Sequence, residues 1–191
     1  MGLDSVELIV EWEKFFGVNI PDNVAVNIRT VENAVDAIAE LILFEEGNRD
    51  LKKQLSEQLC AVLSELKIIT EQFSPDQKIF DLLPVPVPAE NTLAEISNKL
   101  GYELPYPFAT GTFGKFLNKI FPPKVSFRDT TVDRFIDLTA AVNYKKLLLS
   151  GHIQNNYEIK IAVWGITIEM IGIDPFEIYS DKSFVNDFGI D

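Results

Sequence analysis

Asp4 and Ser5 stand at the opening of an amphipathic stretch, residues 5–16 (SVELIVEWEKFF), and the chain closes on Asp187-Phe188-Gly189-Ile190-Asp191. Either Asp4 or Ser5 can cap such a helix, because a short oxygen-bearing side chain accepts from the free N–H groups of the first turn. The same helix end favours an anion. Ser5 is the hydroxyl singled out for chemistry, and a plain helix cap is its other reading. Cys60, the single cysteine, lies among Leu59, Ala61 and Leu63; it excludes an internal disulfide and is expected to be a small core residue. His152, the single histidine, follows Gly151 and pairs with no serine or cysteine nucleophile, which suits a surface loop. Gly111-Thr112-Phe113-Gly114-Lys115 has the residue types of a phosphate loop, but the spacing is short and no hydroxyl follows the lysine. Trp12 and Trp164 suit packing or an interface. No nucleophile, base and orienting group come together, so the chain is expected not to be an enzyme.

Helices must position these groups. Residues 5–16 bring Val6, Ile9, Val10 and Phe16 to one face, opposite Glu7, Glu11 and Lys14, and Gly17 ends the run. Thr30 caps a second amphipathic segment, with Val31, Ala34, Val35, Ile38, Leu41 and Ile42 inward. A third runs from Asp50 to Ile69 on Leu51, Leu55, Leu59, Val62, Leu63 and Leu66. The prolines at 84, 86 and 88 forbid a helix interior and favour extended backbone. A short helix is expected from Asn91 or Thr92 to Leu100, stopped by Gly101, and another from Thr130 or Thr131 toward Leu149. Residues 157–171 (YEIKIAVWGITIEMI) are ambiguous, since Ile159, Ile161, Val163, Ile166 and Ile168 are β-branched and suit a strand, yet the run is long for one.

The formal net charge is −12, which argues against nucleic acid, because phosphate binding needs a basic surface. That charge is unevenly placed. Residues 1–46 carry ten acids and two bases and residues 154–191 seven acids and two bases, whereas residues 47–153 carry twelve acids and thirteen bases. The two ends thus share a surface property that the middle lacks. The longest apolar run, Ile159 to Ile173, is broken by Lys160 and Glu169 and is too short to span a bilayer, and the N-terminus has no basic-then-apolar signal pattern. A cytoplasmic protein without membrane contact is expected.

The chain also repeats itself. Leu66, Ile68, Phe73, Asp76, Ile79 and Phe80 fall 105 residues before Ile171, Ile173, Ile178, Asp181, Phe184 and Val185. Gly17, Ile20 and Pro21 fall 84 residues before Gly101, Leu104 and Pro105, and Thr30-Val31 with Val35-Asp36 matches Thr131-Val132 with Ile136-Asp137.

These phrases resemble acyl carrier proteins. GIDPFEIYSDKSFVNDFGID (172–191) looks like the end of that family's first helix and its long loop; GLDSVELIVEWEKFFGVNIPD (2–22) looks like its second helix, and IRTVENAVDAIAELI (28–42) like its last. Together they make one carrier module in permuted order. The resemblance implies an all-α fold of two acyl-carrier-like helical bundles. One is a split module from residues 1–46 and 154–191; the other, residues 50–150, is a degenerate module with an insertion near 105–128. Carrier proteins attach 4′-phosphopantetheine to a serine that a DxGxDS loop delivers to the second helix. If Asp191 abuts Ser5, that motif is restored, with Asp4 and Asp191 beside the attachment serine. If Asp191 abuts Gly2, the helix has the family's usual length and glycine takes the serine's place. In the middle copy Leu83-Pro84-Val85-Pro86 stands where the motif should be, so that copy offers no hydroxyl.

The resemblance further implies a carrier that presents an acyl group on the phosphopantetheine arm, or else an unmodified pseudo-carrier acting as an interaction module. Glu7, Glu11, Glu13, Asp36 and Glu40 would form the acidic face that meets basic partner enzymes, a phosphopantetheinyl transferase among them. The helix at 5–16 is expected to pack on a helical 157–171 segment, and exchange of those elements between two chains would give a domain-swapped homodimer.

Overall fold

The computed structural model describes residues 3–42, 49–83, 90–105 and 127–190. Its helices are α1 Leu3–Phe16, α2 Asp22–Ala25, α3 Val31–Leu41, α4 Leu51–Glu65, α5 Ile79–Leu82, α6 Glu90–Leu100, α7 Val132–Val142, α8 Tyr144–Leu147 and α9 Asn156–Ile171. Two 3-10 turns, Phe127–Asp129 and Pro175–Glu177, join them. Among the described residues there is no strand, only isolated bridges between Thr30 and Ser183 and between Lys78 and Thr131. The fold is thus helical, as expected, and no described helix is long and apolar enough to cross a membrane. The proline run beyond Leu83, most of the 105–128 segment and Gly111–Lys115 lie outside the described residues.

The chain divides into two compact units. One comprises Met1–Arg49, Asn143–Ile173 and Ile178–Asp191; the other comprises Asp50–Val142 and Asp174–Glu177.

In the first unit α9 is the central helix, with α1 and α3 packed against it. The Asn155 side chain caps it by accepting from Glu158 N–H at 3.0 Å, and Gly172, at φ 71°, ends it in the left-handed conformation that glycine adopts without strain. Ile159 and the run Ile161 to Thr167 are buried, so the helix is covered on nearly every side. That burial explains its sequence: a helix with apolar residues all round shows no stripe and reads like a strand. Glu158 is fully buried, which a carboxylate tolerates only with partners. Its Oε2 accepts from Gln154 N–H at 2.9 Å, and Arg49 Nε lies 3.7 Å from Oε1. Arg49 also donates to Leu147 O at 2.8 Å and accepts from Asn155 Nδ2 at 3.1 Å, fixing the chain before α4.

The inward face of α1 differs from expectation. Leu8, Trp12 and Phe16 are buried, whereas Val6 is 44% and Val10 48% exposed. The i, i+4, i+8 row carrying the indole and the phenyl ring buries more apolar area than the two valines would, and that row faces inward.

In the second unit α4 packs against α6 and α7. Asp50 caps α4 through Lys53 N–H at 2.9 Å. The helix stops at Glu65 rather than Ile69, because Lys67 turns to φ 57°. Lys52 Nζ joins Asp133 at 2.7 Å and the nearly buried Asp137 at 3.1 Å. Phe127 meets Phe80, Phe135 and Phe176 edge-on, and Arg134 Nη2 donates to Phe176 O at 3.1 Å, tying the 175–177 turn to this unit. The helix expected to reach Leu149 ends at Val142, since Asn143, at φ −110° and ψ 17°, leaves helical geometry before α8. Cys60 is half-buried, not a core residue, because it lies beside the buried row Leu55, Leu59 and Leu63 rather than on it.

Candidate functional site

Ser5 borders a cavity that gathers several of the residues singled out in the sequence. It lies in the first turn of α1 with its side chain half-buried, and Leu8, Ile9 and Trp12 continue down the same helix face at i+3, i+4 and i+7. Opposite them stand Ala25 and Val26 at the end of α2, with Ile28 and Arg29 in the turn before α3. The third wall is the segment before the C-terminus, where Ser183, Phe184, Val185, Asn186 and Ile190 face the same space. The volume enclosed is about 390 Å³. Exposed Val26 and Val185 lie on its open side, and Trp12 packs on Phe184 with ring centroids 5.6 Å apart.

Backbone hydrogen bonds set that third wall. Phe184 N–H donates to Arg29 O, Val31 N–H to Lys182 O and Glu32 N–H to Ser180 O, which holds residues 180–184 against the start of α3. Thr30 closes that start as a capping box with Asn33. Asp187 then folds the segment on itself, its Oδ2 accepting from Ser183 N–H and its Oδ1 from Lys182 Nζ, each at 2.9 Å. Gly189, at φ 71°, lets the chain turn so that Ile190 N–H reaches Phe184 O at 2.9 Å. The glycine of Asp187-Phe188-Gly189-Ile190 is thus what returns Ile190 to the cavity.

The other sequence-singled residues fall as follows. Asp191, Gly2 and the Asp4 side chain lie outside the described residues. Ser5 is not the N-cap, because α1 opens at Leu3 and places Ser5 third in the helix. Glu7, Asp36 and Glu40 are exposed, the first on α1 and the others on α3. Glu11 pairs with Lys14 at 3.2 Å. Glu13 is engaged internally: its Oε1 accepts from Ile20 N–H at 2.7 Å and closes the turn after Gly17. His152 is exposed, and Trp12 and Trp164 are both buried. Among the described residues no group of histidine, cysteine and carboxylate side chains could hold a metal ion. Trp12, expected to serve packing or an interface, packs on Phe184 and also lines the cavity; Arg29, Asn186 and Ile190 reach the site through tertiary pairing that no local pattern announces.

Comparison with known proteins places a region of this chain beside acyl carrier proteins. Over 38 residues it is 58% identical to the acyl carrier protein of Rubrobacter xylanophilus, which covers 20% of this chain and 47% of that protein. It is 53% identical over 38 residues to the acyl carrier protein of Picosynechococcus sp., with the same coverage. The chain therefore spans about half the length of the curated relatives it matches. No family model matches the chain, and no solved structure matches it.

Proposed function

We propose that the protein is an acyl-carrier-like protein and not an enzyme, presenting an acyl group on a 4′-phosphopantetheine arm esterified to Ser5. One observation carries this: a chain with a region over half identical to acyl carrier proteins holds Ser5 at the edge of an apolar cavity of about 390 Å³. The residues present suit such an arm. Ser5 lies in the first turn of α1, where backbone N–H groups lack intrahelical acceptors and favour a phosphodiester, and Arg29 lines the same cavity. The arm would supply the thioester. The chain's own residues shelter what it carries, Leu8, Ile9, Phe184 and Ile190 offering apolar walls worth about 0.8 kcal/mol per buried methylene. Glu7, Glu11, Asp36 and Glu40 offer basic partner enzymes an acidic surface; Glu13, held by Ile20 N–H, contributes less.

Two carrier-like copies, one split between the chain ends, account for the pairing of local geometry in the two units. Val31 N–H to Lys182 O, Glu32 N–H to Ser180 O and Phe184 N–H to Arg29 O have counterparts in Val132 N–H to Gln77 O, Asp133 N–H to Pro75 O and Ile79 N–H to Thr130 O. The caps Asn155 and Asp50, and the left-handed helix ends Gly172 and Lys67, correspond in the same way. On this view α9, α1 and α3 repeat α4, α6 and α7.

A second reading, an unmodified pseudo-carrier, is favoured by a specific observation: α1 opens at Leu3, two residues before Ser5, which suits the register that puts Gly2 at the attachment point. Mass spectrometry separates the two. Incubation with a broad-specificity phosphopantetheinyl transferase and coenzyme A should add about 340 Da, the mass of the arm, and Ser5→Ala should abolish the gain. Glu7→Lys with Glu11→Lys should slow the reaction, whereas Glu57→Lys with Glu65→Lys should not. A chain left unmodified, under conditions that convert an ordinary acyl carrier protein, would establish the pseudo-carrier instead.

A further inference from the structure

The described residues that line the cavity beside Ser5 include one charged residue, Arg29, and no acid. Yet the chain ends that build it are strongly acidic, residues 1–46 and 154–191 holding ten and seven acids against two bases each. Three of those four bases are engaged: Lys14 pairs with Glu11, Lys182 with Asp187, and Lys160 Nζ lies 4.5 Å over the Trp164 ring. Arg29 has no ion-pair partner among the described residues, and its side chain is exposed. Its backbone, by contrast, is fixed. The carbonyl accepts from Phe184 N–H at 3.0 Å and the N–H donates to Asn33 Oδ1 at 3.4 Å, which seats the residue where the 180–184 segment meets the start of α3. An arginine at an apolar edge lays its methylene stem along that surface and keeps its head at the water boundary. Arg29 thus brings a cation to the exposed edge of a cavity whose inner walls are Leu8, Ile9, Phe184 and Ile190.

We infer that this cavity binds, without a covalent bond, an apolar chain ending in a carboxylate, with the tail between the apolar walls and the head on Arg29. The planar guanidinium takes both oxygens of a carboxylate through paired N–H donors, while hydrocarbon leaves water for the space within. A phosphodiester on Ser5 is the other anion that could draw Arg29, and the positions favour the carboxylate. Ser5 lies in the first turn of α1, whose own backbone N–H groups meet an anion there, whereas Arg29 stands on the opposing wall. The inference goes beyond the carrier proposal, because it uses the cavity and asks nothing of Ser5.

The test titrates octanoate, octan-1-ol and 4′-phosphopantetheine separately into the full-length, 15N-labelled protein at neutral pH, following the backbone amide signals of Phe184 and Ile190 by NMR. Octanoate and octan-1-ol should both move those signals. Arg29→Gln should weaken octanoate about 5-fold, as the loss of one exposed charge pair allows, and leave octan-1-ol unchanged, which also shows that the cavity is intact in the variant. Arg29→Lys, which keeps the charge but not the fork, should weaken octanoate less than Arg29→Gln does. Octanoate that leaves Phe184 and Ile190 unmoved, octanoate affinity unchanged in Arg29→Gln, or an equal loss for octanoate and octan-1-ol would overturn the inference. A loss in Arg29→Gln that is larger for 4′-phosphopantetheine than for octanoate would assign Arg29 to the phosphate and overturn it as well. Failure of Ser5 modification leaves these results standing, so the two proposals fail separately.

Discussion

Single residues in α1 turn inward a face other than the one the spacing of its valines suggested. The helix offers Val6 and Val10 as well as Leu8, Trp12 and Phe16, and only the second set is buried. Leu8→Ala should therefore lower the free energy of unfolding by about 2–5 kcal/mol, whereas Val10→Ser should stay within about 0.5 kcal/mol, both read by urea denaturation. Glu169 gives a prediction of a different kind. The hydrogen bond from Lys145 Nζ, at 2.6 Å, holds its carboxyl below the ordinary value of 4.5; partial burial works against this, and the Tyr144 hydroxyl at 2.8 Å reinforces it. A carboxyl with a depressed folded pKa adds stability that is complete above its unfolded value and is lost as pH falls through the folded value. Glu169→Gln should then cost stability at pH 7, by less than about 1 kcal/mol because the pair is half exposed, and the difference from the parent protein should shrink as pH falls below 4.5 and through the folded value. Urea midpoints for both proteins across that acid range check it.

At the scale of elements, what was legible followed from local chemistry. Thr30 and Asp50 cap their helices because hydroxyl and carboxylate oxygens meet first-turn N–H groups, and Gly17 and Gly101 end theirs at positive φ. What was not legible depended on tertiary surroundings. The helix at Asn156–Ile171 hides its period because it is covered on nearly all sides, and α4 ends early at a lysine that carries no stop signal. Cavity residues split the same way: Ser5 and Ile9 stood out in the sequence, but Leu8 and Trp12 lie off the face expected to turn inward, and Phe184 and Ile190 arrive by backbone pairing far along the chain. Lys67 supplies the prediction here. A lysine held at φ 57° bears a left-handed cost that glycine escapes, as Gly172 does at the matching end of α9. Lys67→Gly should raise stability by about 0.5–1 kcal/mol, glycine's greater freedom in the unfolded chain offsetting part of the relief. A lower thermal midpoint for that variant would show that the Lys67 side chain contributes more than its backbone costs.

Across the whole molecule, the acidic ends and the near-neutral middle correspond to two compact units, one drawing its helices from both ends of the chain. We propose that these end segments together form one acyl-carrier-like module. Its parts are α9 at the centre, α1 and α3 packed on it, and the 178–190 segment completing the cavity. The two ends bury apolar surface against each other: α1 packs on α9, and Trp12 of one end meets the Phe184 ring of the other. The most direct measurement is the denaturant unfolding, followed by circular dichroism, of a chain in which residues 143–191 run straight into residues 1–49. The account predicts a helical, monomeric protein that unfolds in a single cooperative transition. A soluble chain without helical signal, or one that loses it gradually with no transition, would contradict it.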